Sequence, residues 1–574
     1  MRDLVALSLR YIPYSLIIVI TVISFQINAL FLSFGVWANI DDGLYVKIAN
    51  EIINGNWLGE YDQLTLAKGP FFPLFLAFNH FTGIPFKLTQ HILYLIVVYG
   101  FSWGLGRLTS SRTVFLLTYL VMAISPLTSC TALARVIRDP IYAVLALALI
   151  ALFVAFVRKL PGGIVIGLLL GLVAGSYWLT REEGIWLIPA LLVLSWPLIK
   201  ETIYLLRQRQ WPKLLSIAKY VAVPVLVFIT IIVLISALNF FNYGVFRTND
   251  FRSEAFREAY GSLSRIRNGE WQRYVVFPKE SREWAYSASS AARELRPYLD
   301  GPQGKAWAAS RQNYPEPWGC VNNPIACNDE ILSAWFIWAF RDAVAAAGYF
   351  KSAKQADLYF SQLAIEINAA CEQQTIPCRD ARSTLFPVWR GHYLRDAWHA
   401  SLDIFSTLMG LTNGQVGIEP SLLNSRQAKL FQFVLNSPVN GYDKDGNKLS
   451  SRQLNAFERT LYFLAVDISR IYAQLSRPLF FAAIVGYFFM LWMAYKVKSQ
   501  QIGFSVLILT ALLVGIVCRV GMLGFLEATS IPSNNLVYLM PAIHMYLLFT
   551  AFCLGLVAST VFKWIGKKAA ATDC

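Results

Sequence analysis

Residues 141–157 read IYAVLALALIALFVAFV, an apolar run without a single charge, and this run decides the class of fold. A run of this composition predicts a helix that crosses a lipid bilayer, which takes roughly 20 residues. The chain contains ten such runs, at about 11–35, 88–106, 113–130, 141–157, 162–179, 184–199, 220–243, 478–495, 503–526 and 535–562. We therefore predict a polytopic α-helical membrane protein with about ten transmembrane helices.

The composition of the whole chain supports the same class. Of its 574 residues, 56% are hydrophobic and 15% are charged, and the mean hydropathy is +0.47. Typical soluble domains are about 45–50% apolar and about 25% charged. These values exclude a disordered chain, a coiled coil and an ordinary soluble enzyme. The net charge of +15 is mostly a signal of membrane topology, and only weakly one of nucleic-acid binding.

The distribution of lysine and arginine predicts the orientation. Sixteen of these cations, but only three acids, occur in the N-terminal stretch and in five short segments: 107–112, 158–161, 200–219, 496–502 and 563–574. Positive loops face the cytoplasm, so both termini are expected there. The opposite loops, at 36–87, 131–140, 180–183 and 527–534, then face outward. The apolar piece 70–83 is too short to span and is expected to be re-entrant or interfacial.

Three regions follow from this pattern. Residues 1–243 form a transmembrane module of about seven helices with the first outer loop at 36–87, and residues 476–574 form a module of about three helices. Residues 244–475 form a mainly helical, extracytoplasmic insert, with helical periodicity at 330–347 and 349–370. Four cysteines of the insert predict disulfides with open connectivity, and a zinc site is the alternative: Cys320, Cys327, Cys371 and Cys378.

Charged residues cluster at the predicted outer ends of the apolar runs. Asp41 and Asp42 directly follow the first run, and helix capping is the alternative role for one of them. Lys68 lies in the first outer loop, where the alternative is a lysine that extends to the bilayer surface. The other candidates are Arg135, Arg138 and Asp139 before the fourth run, Arg181 and Glu182 in the 180–183 turn, and Arg519. Helix capping is the alternative role for Asp139, and a solvated charged turn is the alternative for Arg181 and Glu182. Arg519 is an arginine inside a membrane helix and therefore a functional candidate.

In the predicted topology all these groups lie on one side of the membrane. They combine carboxylates with at least four cations at one depth, which suits an anionic phosphate headgroup attached to a lipid. A carboxylate beside that phosphate can deprotonate an incoming hydroxyl or amine. The cations can stabilise the charge that develops on a departing lipid phosphate.

Motifs in residues 10–200 resemble those of the GT-C superfamily of polyprenyl-phosphate-sugar-dependent glycosyltransferases, which includes aminoarabinose transferases of lipid A and protein O-mannosyltransferases. The motifs are Asp41-Asp42, Gly55-Asn56-Trp57, Ala67-Lys68-Gly69-Pro70-Phe71-Phe72-Pro73, Arg138-Asp139-Pro140 and Thr180-Arg181-Glu182-Glu183-Gly184 with Pro189. The resemblance implies a GT-C-like glycosyltransferase in a bacterial inner (plasma) membrane, with its active site on the periplasmic face. The family often has Asp-Glu or Asp-x-Asp in place of Asp-Asp, and Lys-Pro-Pro in place of Lys-Gly-Pro.

The resemblance also implies roles for single residues. Asp41 is the expected catalytic base, with Asp42 assisting. The expected substrate-binding residues are Lys68, Arg135, Arg138, Asp139, Arg181, Glu182 and Arg519. The implied partners are a polyprenyl-phosphate-linked sugar donor, a glycan, lipid or protein acceptor, and the bilayer, but no nucleic acid. We expect no obligatory cofactor; the alternative is a divalent metal held by Asp41, Asp42 and Asp139.

Two other functions are compatible with parts of this pattern. A transporter or lipid flippase usually places ionisable groups near the bilayer midplane, whereas the candidates here crowd one interface. A scaffold protein would use the insert to bind partners. The insert is rich in tryptophan, which serves core packing more often than sugar binding; these residues are Trp271, Trp284, Trp307, Trp318, Trp335, Trp338, Trp389 and Trp398.

Overall fold

The long apolar runs of the sequence fold into helices, as their composition predicts. The computed structural model describes residues 2–159, 163–267, 271–309, 330–411, 416–450 and 453–572. Helices make up 74% of it, and its described residues contain no strand beyond isolated bridges. The predicted class of polytopic helical protein is therefore confirmed.

The N-terminal part, up to residue 243, contains ten α-helices and three short 3-10 turns. The α-helices are α1 (Arg2–Leu30), α2 (Asp42–Ile53), α3 (Phe71–Thr82), α4 (Phe86–Thr109), α5 (Arg112–Ala123), α6 (Asp139–Lys159), α7 (Ile164–Thr180), α8 (Ile188–Leu194), α9 (Trp196–Arg207) and α10 (Trp211–Tyr243). The 3-10 turns are Pro126–Ser129, Thr131–Leu133 and Gly184–Leu187.

The insert is a chain of shorter helices. After a 3-10 turn at Asp250–Arg252 come α11 (Glu254–Arg265), α12 (Lys279–Ala288), α13 (Ser290–Glu294), α14 (Arg296–Leu299), α15 (Pro302–Ala309), α16 (Ser333–Ala346), α17 (Ala353–Glu372), α18 (Tyr393–Gly410) and α19 (Ser425–Leu435). The two helical segments expected at 330–347 and 349–370 correspond to α16 and α17. Three long helices complete the chain: α20 (Ala456–Val497), α21 (Gln500–Thr529) and α22 (Leu536–Thr572).

Seven helices in the described residues are long and apolar enough to cross a membrane. The pair Gly184–Leu194 and Trp196–Arg207, bent by 54°, is either a broken eighth span or a re-entrant loop. The two remaining predicted spans correspond to shorter apolar helices, Tyr14–Leu30 and Ile164–Thr180. Helix α3 has 12 residues, which is too short to cross the hydrocarbon core.

The insert divides into parts that pack in different places. Helices α11 to α17 share a core of their own, which contains Phe256, Phe340 and Phe360, and we call them the helical lobe. Helix α18 packs instead on the membrane helices, because Ile404 and Leu408 belong to the large core of the bundle. Helix α19 packs with α2 and α3 of the N-terminal part.

One predicted disulfide is present in the lobe. Cys371 and Cys378 are bonded, with 5.5 Å between their Cα atoms. This bond ties the end of α17 to the segment that follows it. Cys320 and Cys327 lie outside the described residues.

The helical lobe docks on the first outer loop and fixes the path of that loop. The buried side chain of Arg341 donates from Nε to the carbonyl oxygen of Gln63 at 2.7 Å and from Nη2 to Asp250 at 2.8 Å. The backbone N–H of Asp250 donates to the carbonyl oxygen of Leu66 at 2.7 Å. The stretch just before Lys68 thus accepts two hydrogen bonds from the insert, whose donors Arg341 and Asp250 are themselves joined by a buried ion pair.

Candidate functional site

Asp41 lies at the end of the connection between α1 and α2, directly before the first residue of α2. Its side chain makes no capping hydrogen bond to that helix. It forms an ion pair with Lys68 instead. The Asp41 side chain is 42% exposed and lines a cavity, whereas the Lys68 side chain is only 8% exposed. The carboxylate is therefore available to a bound molecule. A carboxylate that capped α2 would be occupied by backbone N–H groups of that helix.

Lys68 is surrounded by aromatic rings as well as by Asp41. Its Nζ atom lies 5.0 Å from the centroid of the Tyr45 ring and 5.4 Å from that of the Trp338 ring. Ring faces attract a cation, and the attraction is larger where water is excluded. Tyr45 comes from α2 and Trp338 from α16, so the first loop and the insert together position this ammonium group.

Gly69 permits the close approach of the Lys68 loop to the membrane module. A Cβ atom at residue 69 would lie 2.0 Å from the carbonyl oxygen of Leu179. The backbone N–H of Gly69 also donates to Glu182 at 3.2 Å. No side chain fits here, so the glycine allows Lys68 to lie beside the turn that follows α7.

We expect Gly69→Ala to move this loop away from α7. The added methyl group meets backbone rather than a flexible side chain, so the expected cost is about 3 kcal/mol or more. Thermal unfolding in detergent measures this loss. Gly100→Ala is the matched control, because nothing lies within 4 Å of its added Cβ. An unfolding temperature equal in the two variants would contradict the steric role of Gly69.

Asp42 is placed differently from its neighbour. Its side chain is fully buried and forms an ion pair with Arg135, whose Nε atom donates to Asp42 at 3.3 Å. It also accepts a hydrogen bond from the backbone N–H of Val136 at 3.2 Å. Asp42 therefore faces the loop before α6 and does not line the cavity. Its partner Arg135 lines the cavity and is partly exposed there.

We expect Asp42→Asn to lower the stability of the fold more than the activity of each folded molecule. The change leaves Arg135 without its charged partner, and Arg135 is partly solvated, so the expected cost is about 2 kcal/mol. Thermal unfolding measures the loss. Activity per folded molecule should fall by less than about tenfold. A fully folded but inactive Asp42→Asn enzyme would show that Asp42 has a direct chemical role.

A second group of charges lies where α6 begins and α7 ends. Arg138 donates to the carbonyl oxygen of Thr180 at 2.9 Å and forms an ion pair with Glu182 at 3.2 Å. Arg181 forms ion pairs with Asp139 and, at 2.6 Å, with Glu183. These contacts join the two loops, and both arginines line the same cavity as Asp41 and Lys68.

Arg519 lies behind this group. It is fully buried in α21 and donates from Nη2 to the carbonyl oxygen of Tyr538 at 2.8 Å. Its Nη1 atom lies 3.7 Å from Glu183, and its guanidinium lies over the rings of Tyr142 and Trp186. Arg519 does not line the cavity, so it supports Glu183 and, through it, Arg181.

The cavity has a volume of about 1040 Å³. Five cations of the membrane module line it, together with two carboxylates from the same module: Lys47, Lys68, Arg135, Arg138 and Arg181, with Asp41 and Asp139. Glu182 lines a different cavity, on the other side of the 181–183 turn. Of the nine predicted site residues, six therefore meet in one space, and the other three pack behind or beside it.

The insert closes the cavity on one side, which the sequence did not indicate. Trp307, Trp335, Trp338 and Asp342 line it and come from the helical lobe, and Tyr538 lines it from α22. Asp342 accepts hydrogen bonds from Trp307 at 3.0 Å and from Gln63 at 3.2 Å. The only signal in the sequence was the high tryptophan content, which does not distinguish a cavity wall from a core.

The pKa values of the two adjacent carboxyl groups, Asp41 and Asp42, are shifted in opposite directions. Burial raises the pKa of Asp41, but Lys68 outweighs this effect with help from Arg135 and Arg138, so the pKa lies below its ordinary value. For Asp42, burial outweighs the opposing contribution of Arg135, and the pKa is raised. Burial also lowers the pKa of Lys68 more than Asp41 raises it.

Glu183 is the anionic centre of the second group. Burial raises the pKa of its carboxyl, and the two arginines beside it, Arg181 and Arg519, outweigh burial and lower the pKa to about 2. Glu183 therefore stays ionised at any physiological pH. The sequence placed it in the charged turn but not among the site residues.

The carboxylates do not form a metal-binding set. Asp41, Asp42 and Asp139 pair with three different cations: Lys68, Arg135 and Arg181. Among the described residues, no group of three or more histidine, cysteine, aspartate or glutamate side chains is placed to hold a metal ion. This arrangement does not fit the alternative in which the three aspartates bind one divalent metal.

Comparison with known proteins returns structural likenesses only. No family model matches the chain, and no curated protein matches it. One similar solved structure is the archaeal oligosaccharyltransferase AglB from Archaeoglobus fulgidus, in complex with an inhibitory peptide and a dolichol-phosphate. It is 12% identical at a TM-score of 0.35, over 98% of this chain and 52% of AglB. This chain thus spans about half the length of that protein.

A second similar structure is ArnT from Cupriavidus metallidurans, bound to undecaprenyl phosphate. It is 16% identical at a TM-score of 0.29, over 98% of this chain and 79% of ArnT. The likeness is distant, and we infer the function from the side chains of this chain.

Proposed function

We propose that this protein is a membrane glycosyltransferase that moves a sugar from a polyprenyl-phosphate donor to an acceptor. The observation that carries the proposal is the ion pair between Asp41 and Lys68 on the wall of a cavity that three arginines also line. A base and a set of phosphate-binding cations are the groups that this reaction needs.

The cations suit the donor's phosphate. Lys68, Arg138 and Arg181 are each at least nine-tenths buried, so their interaction with an anion is weakly screened by water. Arg135 is partly exposed at the same cavity. Glutamate and aspartate side chains hold the arginines in place without filling the cavity. A phosphate that enters finds donors already oriented.

Asp41 is proposed as the catalytic base, and donor binding is proposed to activate it. Without donor, Lys68 holds the pKa of Asp41 low, which makes the carboxylate a weak base. When Lys68 turns to the donor's phosphate, Asp41 loses the strongest influence that lowers its pKa, and the pKa rises. Asp41 then accepts the proton of the acceptor more readily.

The transfer step exchanges one bond for another at the anomeric carbon. The oxygen or nitrogen of the acceptor attacks the anomeric carbon of the sugar and forms the new glycosidic bond. The bond between that carbon and the phosphate oxygen breaks, and its electron pair leaves with the lipid phosphate. Asp41 takes the proton of the acceptor, while Lys68 and the arginines stabilise the charge on the leaving phosphate.

The insert is proposed to bind the acceptor. Trp307 and Trp335 come from the helical lobe and line the cavity together with Asp342. Aromatic faces bind sugar rings, and a carboxylate binds hydroxyl groups. A glycan, a glycolipid or a glycosylated protein therefore fits this wall.

The proposed site faces the outside of a bacterial inner membrane. The connections between membrane helices that build it join the same ends of those helices: 31–85, 124–138, 181–183 and 530–535. The segments rich in lysine and arginine lie at the opposite ends. The positive-inside rule then places the site on the periplasmic side and both termini in the cytoplasm.

A turnover experiment tests the proposal. Purified protein in detergent is incubated with a labelled polyprenyl-phosphate sugar and candidate glycan acceptors, and both the labelled acceptor and the free lipid phosphate are measured. A glycosyltransferase releases the two products in equal amounts. A flippase reconstituted in vesicles would move the lipid across the bilayer and leave the sugar attached, and this result would overturn the proposal.

A further inference from the structure

A second large cavity lies between the helical lobe, the segment before α18 and the end of α21. Its volume is about 530 Å³. The walls are mainly apolar and include Tyr260, Ile337, Phe386 and Phe525. None of the five cations that line the proposed catalytic cavity lines it. A ligand of this cavity would therefore use other charges than the donor's phosphate does.

Arginines provide those charges. Arg379 and Arg390 line the cavity, and Arg267 and Arg382 lie close enough to act on Arg379. Burial, followed by the guanidinium groups of Arg390, Arg267 and Arg382, lowers the pKa of Arg379. The Nε atom of Arg382 is buried and has no hydrogen-bond partner in the described part of the chain. Mutual repulsion of this kind is relieved when an anion binds between the guanidinium groups.

Residues near the ends of two apolar helical segments line the cavity. Met522 and Phe525 belong to α21, and Ile185 lies at the start of the bent pair and is exposed. Trp389 stacks on Phe525, with 6.4 Å between the ring centroids. Tryptophan is enriched where a membrane meets water.

Helix α18, next to the cavity, has the surface of an interfacial helix. It exposes Leu394, Trp398 and Leu402 in one stripe at a spacing of four residues. Arg395 lies beside this stripe and is exposed. Ile404 and Leu408 of the same helix pack on the bundle. An apolar stripe next to a basic side chain is typical of a helix that lies in the headgroup region.

We propose that this cavity binds an anionic phospholipid of the surrounding membrane. The phosphate lies against Arg379 and Arg390, and an acyl chain fills the apolar space between the lobe and α21. Glu182 and Glu183 line the cavity where it borders the proposed catalytic site, and they repel a phosphate there. The bound lipid therefore holds the helical lobe to the bilayer without competing for the donor's site.

Native mass spectrometry of the full-length, delipidated protein tests this proposal. The protein in detergent is titrated with phosphatidylglycerol and, separately, with phosphatidylcholine. We expect one tightly held phosphatidylglycerol and at least tenfold weaker binding of phosphatidylcholine. The double variant Arg379→Gln/Arg390→Gln should lose at least about tenfold in affinity for phosphatidylglycerol. Arg296→Gln is the matched control and should bind as the wild type does, because Arg296 is exposed on the lobe and does not line the cavity.

A second variant separates binding from folding. Val276 lines the cavity, so Val276→Trp fills the apolar space and leaves the arginines intact. Val276→Trp should also lose at least about tenfold in affinity for phosphatidylglycerol. If the double variant fails to fold, the affinity of Val276→Trp decides whether the proposal holds. Equal affinity for the two lipids would overturn the proposal, as would unchanged binding in the folded variants. Displacement of phosphatidylglycerol by undecaprenyl phosphate in a Lys68→Met background would also overturn it, because it would assign the cavity to the donor.

Discussion

Replacing Asp41 by asparagine is expected to lower the rate of sugar transfer by about 10²- to 10⁴-fold, which is the usual contribution of a positioned general base. The side chain is 42% exposed on the cavity wall and caps no helix. The variant should therefore keep its fold. Donor affinity should not decrease, because Lys68 loses its carboxylate partner and becomes more available to the phosphate. The measurement is kcat at saturating donor, with thermal unfolding as the check on folding.

Asp42→Asn is the matched control for this experiment. The two residues are adjacent, yet Asp42 is fully buried against Arg135 and Asp41 faces the cavity. The change at residue 42 should lower stability, and the change at residue 41 should lower kcat. Near-normal transfer by a folded Asp41→Asn enzyme would contradict the assignment of Asp41 as the base.

Lys68→Met is expected to weaken donor binding and to shift the pH dependence of the reaction. Loss of a charge-assisted hydrogen bond to phosphate raises KM for the donor by roughly 10- to 100-fold. The second effect follows from linkage. Lys68 holds the pKa of Asp41 below its ordinary value, so without Lys68 this carboxyl takes up a proton at higher pH. The acid limb of kcat/KM should move to higher pH in the variant.

The wild-type protein offers an internal comparison for the same effect. The acid limb of kcat/KM reports the free enzyme, and that of kcat reports the enzyme with donor bound. If Lys68 leaves Asp41 for the phosphate, the acid limb of kcat lies at higher pH than that of kcat/KM. Lys68→Arg keeps a cation and should show a smaller change than Lys68→Met. Identical acid limbs in the wild type and in Lys68→Met would show that Lys68 does not control Asp41.

Much of the membrane module could be predicted from the sequence, because bilayer thickness constrains a helix through composition alone. The run 141–157 indicated α6, and the limited length of 70–83 indicated that α3 does not span. The first-loop motif also placed Asp41 and Lys68 together. Their contact depends on Gly69, whose missing side chain lets the loop approach α7.

Other features depend on contacts between distant residues, which composition and spacing do not encode. Two adjacent aspartates look alike in a sequence, but Asp42 is directed to Arg135 and Asp41 to the cavity. The contribution of Trp338 to the Lys68 environment depends on how the lobe docks, and that docking rests on the buried Arg341. Arg519 was predicted to bind substrate, whereas in the structure it supports Glu183 from behind the cavity.

The most direct test of the proposed function is a structure of the protein with a polyprenyl phosphate bound, determined by cryo-electron microscopy in a lipid nanodisc. We expect the phosphate inside the cavity, within hydrogen-bond distance of Lys68 and at least one of Arg138 and Arg181, with the Asp41 carboxylate released from Lys68. A phosphate bound elsewhere, with the Asp41–Lys68 pair intact, would contradict the proposed site and its mechanism.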